Sequence, residues 1–354
     1  MRARENSEQI ALLQGENAER QRLWQRFNHV VENWYGIMSR TKRLTAFTSS
    51  YAQAAVIFPY ILVTPAYFAK KIQLGGLTQT ASAFGSVQKA LSIFVTIYRT
   101  LADWRAIVAR LDGFETSIAS ATTLAASSAS IGVVSSAGSK AIDLRQLILR
   151  LPNGTPLVSA DGLSLHAGER TLLTGPSGSG KSTLFRAIAG IWPFGTGKID
   201  VPAGASLMML PQRPYFPIGT LHGAIAYPGE SGSFSPDRVR EALTLVGLPQ
   251  LATRLEEDAH WNRMLSLGEQ QRLGIARALL HAPDYLFLDE ATASLDEPSE
   301  AALYGLLASK LPATTIVSIG HRSTLGAFHQ RNVALARDGD RFVLQDGGES
   351  VKAM

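Results

Sequence analysis

Gly175-Pro176-Ser177-Gly178-Ser179-Gly180-Lys181-Ser182-Thr183 fits G-x-x-x-x-G-K-[ST], the pattern of a phosphate-binding loop. The spacing follows from the chemistry. Gly175, Gly178 and Gly180 let the backbone curl until successive N–H groups point into one concavity. A helix starting at the loop's end adds the positive end of its dipole. Lys181 is placed to reach terminal phosphates, and the Ser182 hydroxyl to hold Mg²⁺. The flanks agree: Arg170-Thr171-Leu172-Leu173-Thr174 is a short β-rich run, and Leu184-Phe185-Arg186-Ala187-Ile188-Ala189 a helical one. A Gly/Ser-rich turn matches the bare pattern by chance on occasion, so other stretches must decide the kind of nucleotide machine.

Working outward, Asp284-Tyr285-Leu286-Phe287-Leu288-Asp289-Glu290 reads as a buried strand ending in two carboxylates. Strand alternation puts Asp289 and Glu290 on opposite faces. Asp289 can then hold the Mg²⁺ hydration shell while Glu290 polarises a water for attack on a γ-phosphate. Residues 141–149, 171–174, 199–201 and 207–210 are further short strands, and 285–288 and 315–319 are apolar runs suited to a buried parallel sheet. A helix-rich insert spans about residues 236 to 280. The fold expected from residue 140 onward is an α/β phosphate-loop domain with a helical subdomain.

The first third of the chain is different. With 354 residues there is room for about two domains. The whole is 45% hydrophobic but only 18% charged, a balance that points to membrane content. Residues 5–34 look like one charged amphipathic helix, with Arg20, Arg22 and Arg26 among its polar positions. Residues 44–69 contain no charge, and a helix of that length exceeds the roughly 30 Å hydrocarbon core. Arg40, Lys42 and Arg43 flank one end and Lys70 and Lys71 the other, so we read a transmembrane helix, with a buried soluble helix as the alternative. Gly75-Gly76 marks a turn. A second helical span follows over about 77–101, with an apolar stripe of Phe84, Val87, Leu91, Phe94, Val95, Tyr98 and Leu101. Its other face carries Lys89, Arg99 and nearby Asp103. That face either lines a watery pathway or pairs Arg99 with Asp103 beyond the membrane. Residues 116–139, rich in Ser, Ala, Thr and Gly, read as a flexible linker.

Some chemistries are excluded. There is no Cys, which rules out disulfides, thiolate zinc sites and Cys nucleophiles, and the seven His show no metal spacing. The polar start, Met1-Arg2-Ala3-Arg4-Glu5-Asn6, predicts no signal peptide. A net charge of +5 could serve an anionic membrane surface or nucleic acid.

Leu265-Ser266-Leu267-Gly268-Glu269-Gln270-Gln271-Arg272 resembles the signature motif of ATP-binding cassette (ABC) ATPases. The remaining motifs stand in the order of that family. Gln212, in Leu210-Pro211-Gln212-Arg213-Pro214-Tyr215, resembles the Q-loop, which senses Mg²⁺ and faces the membrane domain. Ser294-Leu295-Asp296 resembles the D-loop, and His321, in Ile319-Gly320-His321-Arg322, the switch histidine that contacts the γ-phosphate. The resemblance implies ATP and Mg²⁺ as ligands, with Ser182, Gln212 and Asp289 around the metal and Glu290 and His321 as the catalytic pair. It implies a homodimer or heterodimer of cassettes, in which Ser266, Gly268 and Glu269 of one subunit complete the phosphate cradle of the other. Two departures stand out. Leu267 replaces the usual Gly and Glu269 the usual Gln, so slower activity is expected. No aromatic lies near Leu151, where one often stacks on adenine, which leaves ATP against GTP open.

Ile191-Trp192-Pro193-Phe194-Gly195-Thr196-Gly197-Lys198-Ile199 and the segment Pro211-Gln212-Arg213-Pro214-Tyr215-Phe216-Pro217-Ile218-Gly219-Thr220-Leu221 narrow the resemblance. With the signature, they are similar to bacterial peptide- and cobalamin-type ABC proteins with fused permease and ATPase, and to the peroxisomal fatty-acyl half-transporters of subfamily D. Such proteins carry more membrane helices than this before the ATPase, and the two here resemble the last two. The chain is therefore identified as a half-transporter shortened at its N-terminus, with a genuine short form as the alternative. The implied domains are a partial transmembrane domain over 1–115, the linker over 116–139 and an ABC ATP-binding domain over 140–354. The implied function is ATP hydrolysis coupled to transport of a small-molecule, peptide, cobalamin-like or acyl-type substrate. The place is a cell inner (plasma) membrane, multi-pass, in contact with lipid, with the ATPase domain cytoplasmic and no nucleic-acid partner. An accessory or regulatory ABC ATPase that does not itself transport is the alternative.

Overall fold

Residues 6–126, 131–320 and 322–349 are described by the structure, a computed structural model. They fall into two units, Met1–Thr116 and Ser117–Met354.

The first unit is helical. Helix α1, Ser7–Leu12, ends where one continuous helix over 5–34 was expected. Gln14 turns left-handed at φ 50°. Gly15 N then donates to Ile10 O (2.8 Å) and Gln14 N to Ala11 O (3.0 Å), the bond pair of a Schellman end. Helix α2, Glu16–Phe68, runs for 53 residues, about 80 Å, through both the charged stretch and the apolar one. Among the described residues it is the one helix long and apolar enough to cross a membrane. Pro59 and Pro65 lie inside it, and the Thr64 hydroxyl turns back to Tyr60 O at 2.6 Å. A second Schellman end closes it, with Lys70 at φ 57° and Lys71 N donating to Ala66 O (3.0 Å).

Helix α3, Leu74–Ala126, follows. Gly75 and Gly76, expected as the turn, instead occupy the first turn of α3, and the reversal lies in residues 69–73. The first N–H groups of a helix have no intrahelical partner. Here Gln73 O takes those of Gly76 (3.0 Å) and Leu77 (3.3 Å). The Phe58 and Phe84 rings, 5.9 Å apart, bring α2 and α3 together. The expected second span, residues 77–101, is helical within α3. The side chains of Phe94, Val95, Thr96 and Arg99, and with them the expected Arg99–Asp103 pair, lie outside the described residues.

The expected flexible linker over 116–139 differs from what is found. Helix α3 continues to Ala126, and strand β1, Gly132–Ser136, pairs parallel with β6, Gly195–Pro202. Ala is the strongest helix former, which carries α3 into this run. Beyond it, Ile131 is buried in the core, and Val133 and Val134 have the β-branched shape that strands favour. Residues 127–130 lie outside the description.

The second unit is built on one sheet of eleven strands. In chain order these are β1, then β2 (Ala141–Arg150), β3 (Pro156–Ala160), β4 (Leu163–His166), β5 (Arg170–Thr174) and β6. They continue with β7 (Leu207–Leu210), β10 (Tyr285–Asp289), β11 (Thr315–Ile319), β12 (Arg331–Asp338) and β13 (Arg341–Glu349); β8 (Gly219–Thr220) and β9 (Asp258–Ala259) form a separate pair. Strands β12, β5, β11, β10 and β7 run parallel side by side. Both faces of that sheet are covered, which is why β10 and β11 read as unbroken apolar runs. Alternation divides the core. Leu172, Leu286, Leu288 and Ile316 point to one face, and Leu173, Phe287, Val317 and Ile319 to the other.

The first face packs against the helical insert: α5 (Leu221–Ala226), α6 (Pro236–Leu245), α7 (Trp261–Met264) and α8 (Leu267–His281). The second face packs against α4 (Lys181–Ile188) and the strands of the antiparallel part, with Phe185 and Phe287 edge to face at 5.0 Å. Helix α9, Glu297–Lys310, completes the unit.

Candidate functional site

Register assembles the site. Leu173 of β5 lies beside Ile319 of β11, Ile319 beside Asp289 of β10, and Leu288 beside Leu210 of β7. The strands are parallel, so the loops after them open together at the carboxyl edge, where α/β sheets hold their ligands. That brings the phosphate loop, Gln212, Asp289, Glu290 and Gly320 to one edge.

The glycines of the loop are required for different reasons. Gly175 (φ 141°) and Gly180 (φ 93°) adopt left-handed conformations. A Cβ on Gly175 would lie 2.9 Å from Leu335 O, and one on Gly180 2.5 Å from Val158 Cγ2. Gly178 (φ 76°) has open space, so only its dihedral calls for glycine. Gly180→Ala is expected to cost about 1–3 kcal/mol, read as a lower melting temperature, with weaker nucleotide binding.

Lys181 is buried. Its ammonium donates to Gly175 O (2.7 Å) and Pro176 O (2.8 Å) across its own loop. Burial pulls its pKa down, against the charges of Glu290 and Asp289. Ser182 Oγ donates to Asp289 Oδ1 at 2.9 Å, so hydroxyl and carboxylate converge from α4 and β10. Burial raises the Asp289 pKa, and the Ser182 hydrogen bond offsets only part of that. A half-buried acid beside a hydroxyl, both hard oxygen donors, fits a Mg²⁺ that keeps waters and substrate oxygens as its other ligands.

Glu290 departs from the expected strand alternation. β10 ends at Asp289, and Glu290 is left-handed at φ 51°. The direction of its side chain is therefore set by a turn. Glu290 N donates to Ile319 O and Ala293 N to Glu290 O, both at 3.1 Å. A left-handed residue without the freedom of Gly costs on the order of 1 kcal/mol or more, and such conformations cluster at functional sites. Gln212 Nε2 donates to Glu290 Oε2 at 3.3 Å, which ties the Q-loop side chain to this carboxylate.

Gln271, which sequence reasoning passed over, is a hub. It is buried in α8. Its Nε2 donates to Gln212 O (3.0 Å) and Glu290 O (3.5 Å), and its Oε1 accepts from Ser294 N (3.0 Å). Arg322 was missed as well. Its guanidinium donates to the buried Glu300 (3.2 Å) and to Leu295 O (2.8 Å), while Thr292 Oγ1 donates to the other Glu300 oxygen at 2.6 Å. Gln271 and Glu300, polar residues on the buried faces of α8 and α9, are the sequence trace of these links. His321 lies outside the described residues.

Ser266, Gly268, Glu269 and Asp296 are not brought to the phosphate loop. They line a separate cavity of about 330 Å³, together with Gly247, Arg272 and Ser294. Ser266 caps α8 in a full capping box with Glu269. A Cβ on Gly268 would press on Leu295 Cδ2 at 3.2 Å, which favours glycine there. Asp296 stands at the N-cap position of α9, and its pKa is held low first by the Ser299 hydroxyl. Near Leu151 the chain makes a tight turn, with Gly154 N donating to Leu151 O at 2.8 Å, and Trp192 Nε1 donates to Arg150 O at 3.0 Å.

Residues 159–293 match the family model described as ABC transporter, and residues 1–68 the one described as ABC transporter transmembrane region 2. An uncharacterized ABC transporter ATP-binding protein of Haemophilus influenzae is 40% identical over 97% of this chain and 57% of its own length. The chloroplastic ABC transporter D family member 2 of Arabidopsis thaliana is 32% identical over 94% of this chain and 56% of its own. The chain thus spans a little over half the length of these two relatives. In fold it is similar to a bacterial Atm1-family ABC exporter solved with ATP bound. The TM-score is 0.72 at 20% identity, covering 98% of this chain and 62% of that one. With a matched transmembrane region ahead of a matched cassette domain, the chain belongs to the ABC transporter family.

Proposed function

We propose that this chain is the energy-coupling part of an ATP-driven membrane transporter. The observation that carries the reading is the 2.9 Å contact of Ser182 with Asp289 beneath the phosphate loop, with Glu290 one residue further on and tethered to Gln212. On ATP entry, Lys181 exchanges the Gly175 and Pro176 carbonyls for the terminal phosphates, a charge-assisted replacement. Ser182, Asp289 and Gln212 would hold Mg²⁺, whose charge neutralises phosphate oxygens when bound. Glu290 accepts a proton from the attacking water, and Gln212 keeps its carboxylate aimed. We assign the contact with the γ-phosphate to His321.

The reading needs two chains. Ser266 and Gly268 line a cavity of their own, so a second subunit, the same chain or a relative, supplies them to each bound nucleotide. The D-loop rim of that cavity is tied through Gln271 to Gln212 and Glu290, so closure at one site is felt at the other. ATP binding would close the pair and hydrolysis reopen it, biasing the membrane helices between two states. We place the spans of a partial transmembrane domain (residues 1–115) in an inner membrane, with the apolar 44–69 stretch, most of it in α2, and the 77–101 stretch of α3 as two passes, and with residues 5–34 and the cassette on the cytoplasmic side. The exposed Val56, Ile61 and Leu62 on α2 favour lipid contact. A small molecule, a peptide, a cobalamin-like or an acyl-type cargo fits this family.

Two measurements test it. Mg²⁺-dependent phosphate release from ATP by the purified chain in liposomes is expected, and EDTA is expected to stop it; phosphate release that persists in EDTA would overturn the metal site. Alkaline washing should leave the protein in the membrane fraction, and its release would overturn the membrane assignment.

A further inference from the structure

Glu269, where the family signature usually carries Gln, is already engaged with the groups that the signature is expected to offer a phosphate. Ser266 N donates to Glu269 Oε2 at 2.9 Å, and Ser266 Oγ donates to the same oxygen at 2.8 Å. Glu269 N returns a bond to Ser266 Oγ at 3.3 Å. A serine hydroxyl has one proton to give, and here the carboxylate takes it. The 15-residue helix α8 starts at Leu267, so its positive end favours a negative group in this position.

We propose that the Glu269 carboxylate is an internal competitor for the signature's phosphate donors and sets the nucleotide concentration at which two chains close. This rests on the reading of Ser266 and Gly268 as the half-site for a partner's nucleotide. The γ-phosphate arriving on Ser266 meets a carboxylate of like charge on the same donors, and the carboxylate must swing off before the cradle forms. The cavity offers modest compensation. Asp296 is a second acid on its wall, and the Arg272 guanidinium donates to Ser299 Oγ at 3.0 Å. Glu269 is thus a positioning residue, acting through Ser266. The departure from Gln changes the threshold for closing and leaves the cap intact.

Glu269→Gln separates charge from capping, because Gln closes a capping box as Glu does. The experiment follows association of the full chain in detergent against a non-hydrolysable ATP analogue, by sedimentation. The variant is expected to associate at roughly tenfold lower analogue concentration than the wild type. That gap should shrink as salt rises from about 0.05 to 0.5 M. Association of both proteins at the same concentration overturns the proposal and leaves the two-chain reading standing. Weaker association with a lowered nucleotide-free melting temperature also overturns it, because Glu269 is then only a cap. If neither protein associates, the two-chain reading falls and this proposal with it.

Discussion

Lys181→Ala is expected to abolish useful nucleotide binding, lowering affinity roughly 100-fold or more. The residue is 6% exposed, and its ammonium is held 2.7 Å from Gly175 O and 2.8 Å from Pro176 O. It is therefore positioned before any phosphate arrives, and little ordering cost remains at binding. Its burial disfavours the charge, while Glu290 and Asp289 favour it. Removing it leaves two carboxylates facing an incoming polyphosphate without the fixed cation of the chain itself. Backbone N–H groups of the loop remain but cannot offset that repulsion. Titration with a fluorescent ATP analogue checks the expectation, and wild-type affinity in the variant would sink the phosphate-loop assignment.

Glu290→Gln is expected to slow hydrolysis roughly 10²- to 10⁴-fold while nucleotide still binds. The amide has the shape of the carboxylate and keeps the backbone bonds that hold the left-handed turn, such as that of residue 290 N to Ile319 O. It lacks an oxygen basic enough to take a proton from water. Gln212, 3.3 Å from Oε2, can still bond the amide oxygen, so the geometry survives and the chemistry does not. Phosphate release and nucleotide retention, measured on the same preparation, separate the two steps. ATPase activity at the wild-type rate would show that the base lies elsewhere.

Much of the cassette is legible in local patterns. Tyr285–Asp289 and Thr315–Ile319 are strands as their apolar runs imply, because strands covered on both faces have nothing to alternate. The signature motif sits at the start of α8, where Ser266 and Glu269 form the S-x-x-E capping pattern. Strands β12 and β13, by contrast, were not marked out by residues 331–349. Neither was β1, whose Ser-rich surroundings resemble a linker until β6 supplies its hydrogen bonds. The break at Gln14 and the reversal at residues 69–73 escaped for a related reason. Both ends use left-handed Gln and Lys, and composition points to Gly.

Which residues could bind a phosphate, and in what order along the chain, is determined by the sequence alone. Glycine spacing, a Lys and a hydroxyl fix the backbone and charge of a local loop without distant help. Which of the candidates share a site is decided only by the tertiary structure. Register between parallel strands puts Leu210, Leu173, Ile319 and Asp289 at one edge, and hydrogen bonds over long sequence separations tie Gln212 and Gln271 to Glu290. The same packing keeps Ser266 and Gly268 in a cavity apart. It also aims Glu290 by a turn where strand alternation would have aimed it otherwise. Local patterns carry local geometry; a site made from the ends of four strands exists only once those strands have paired.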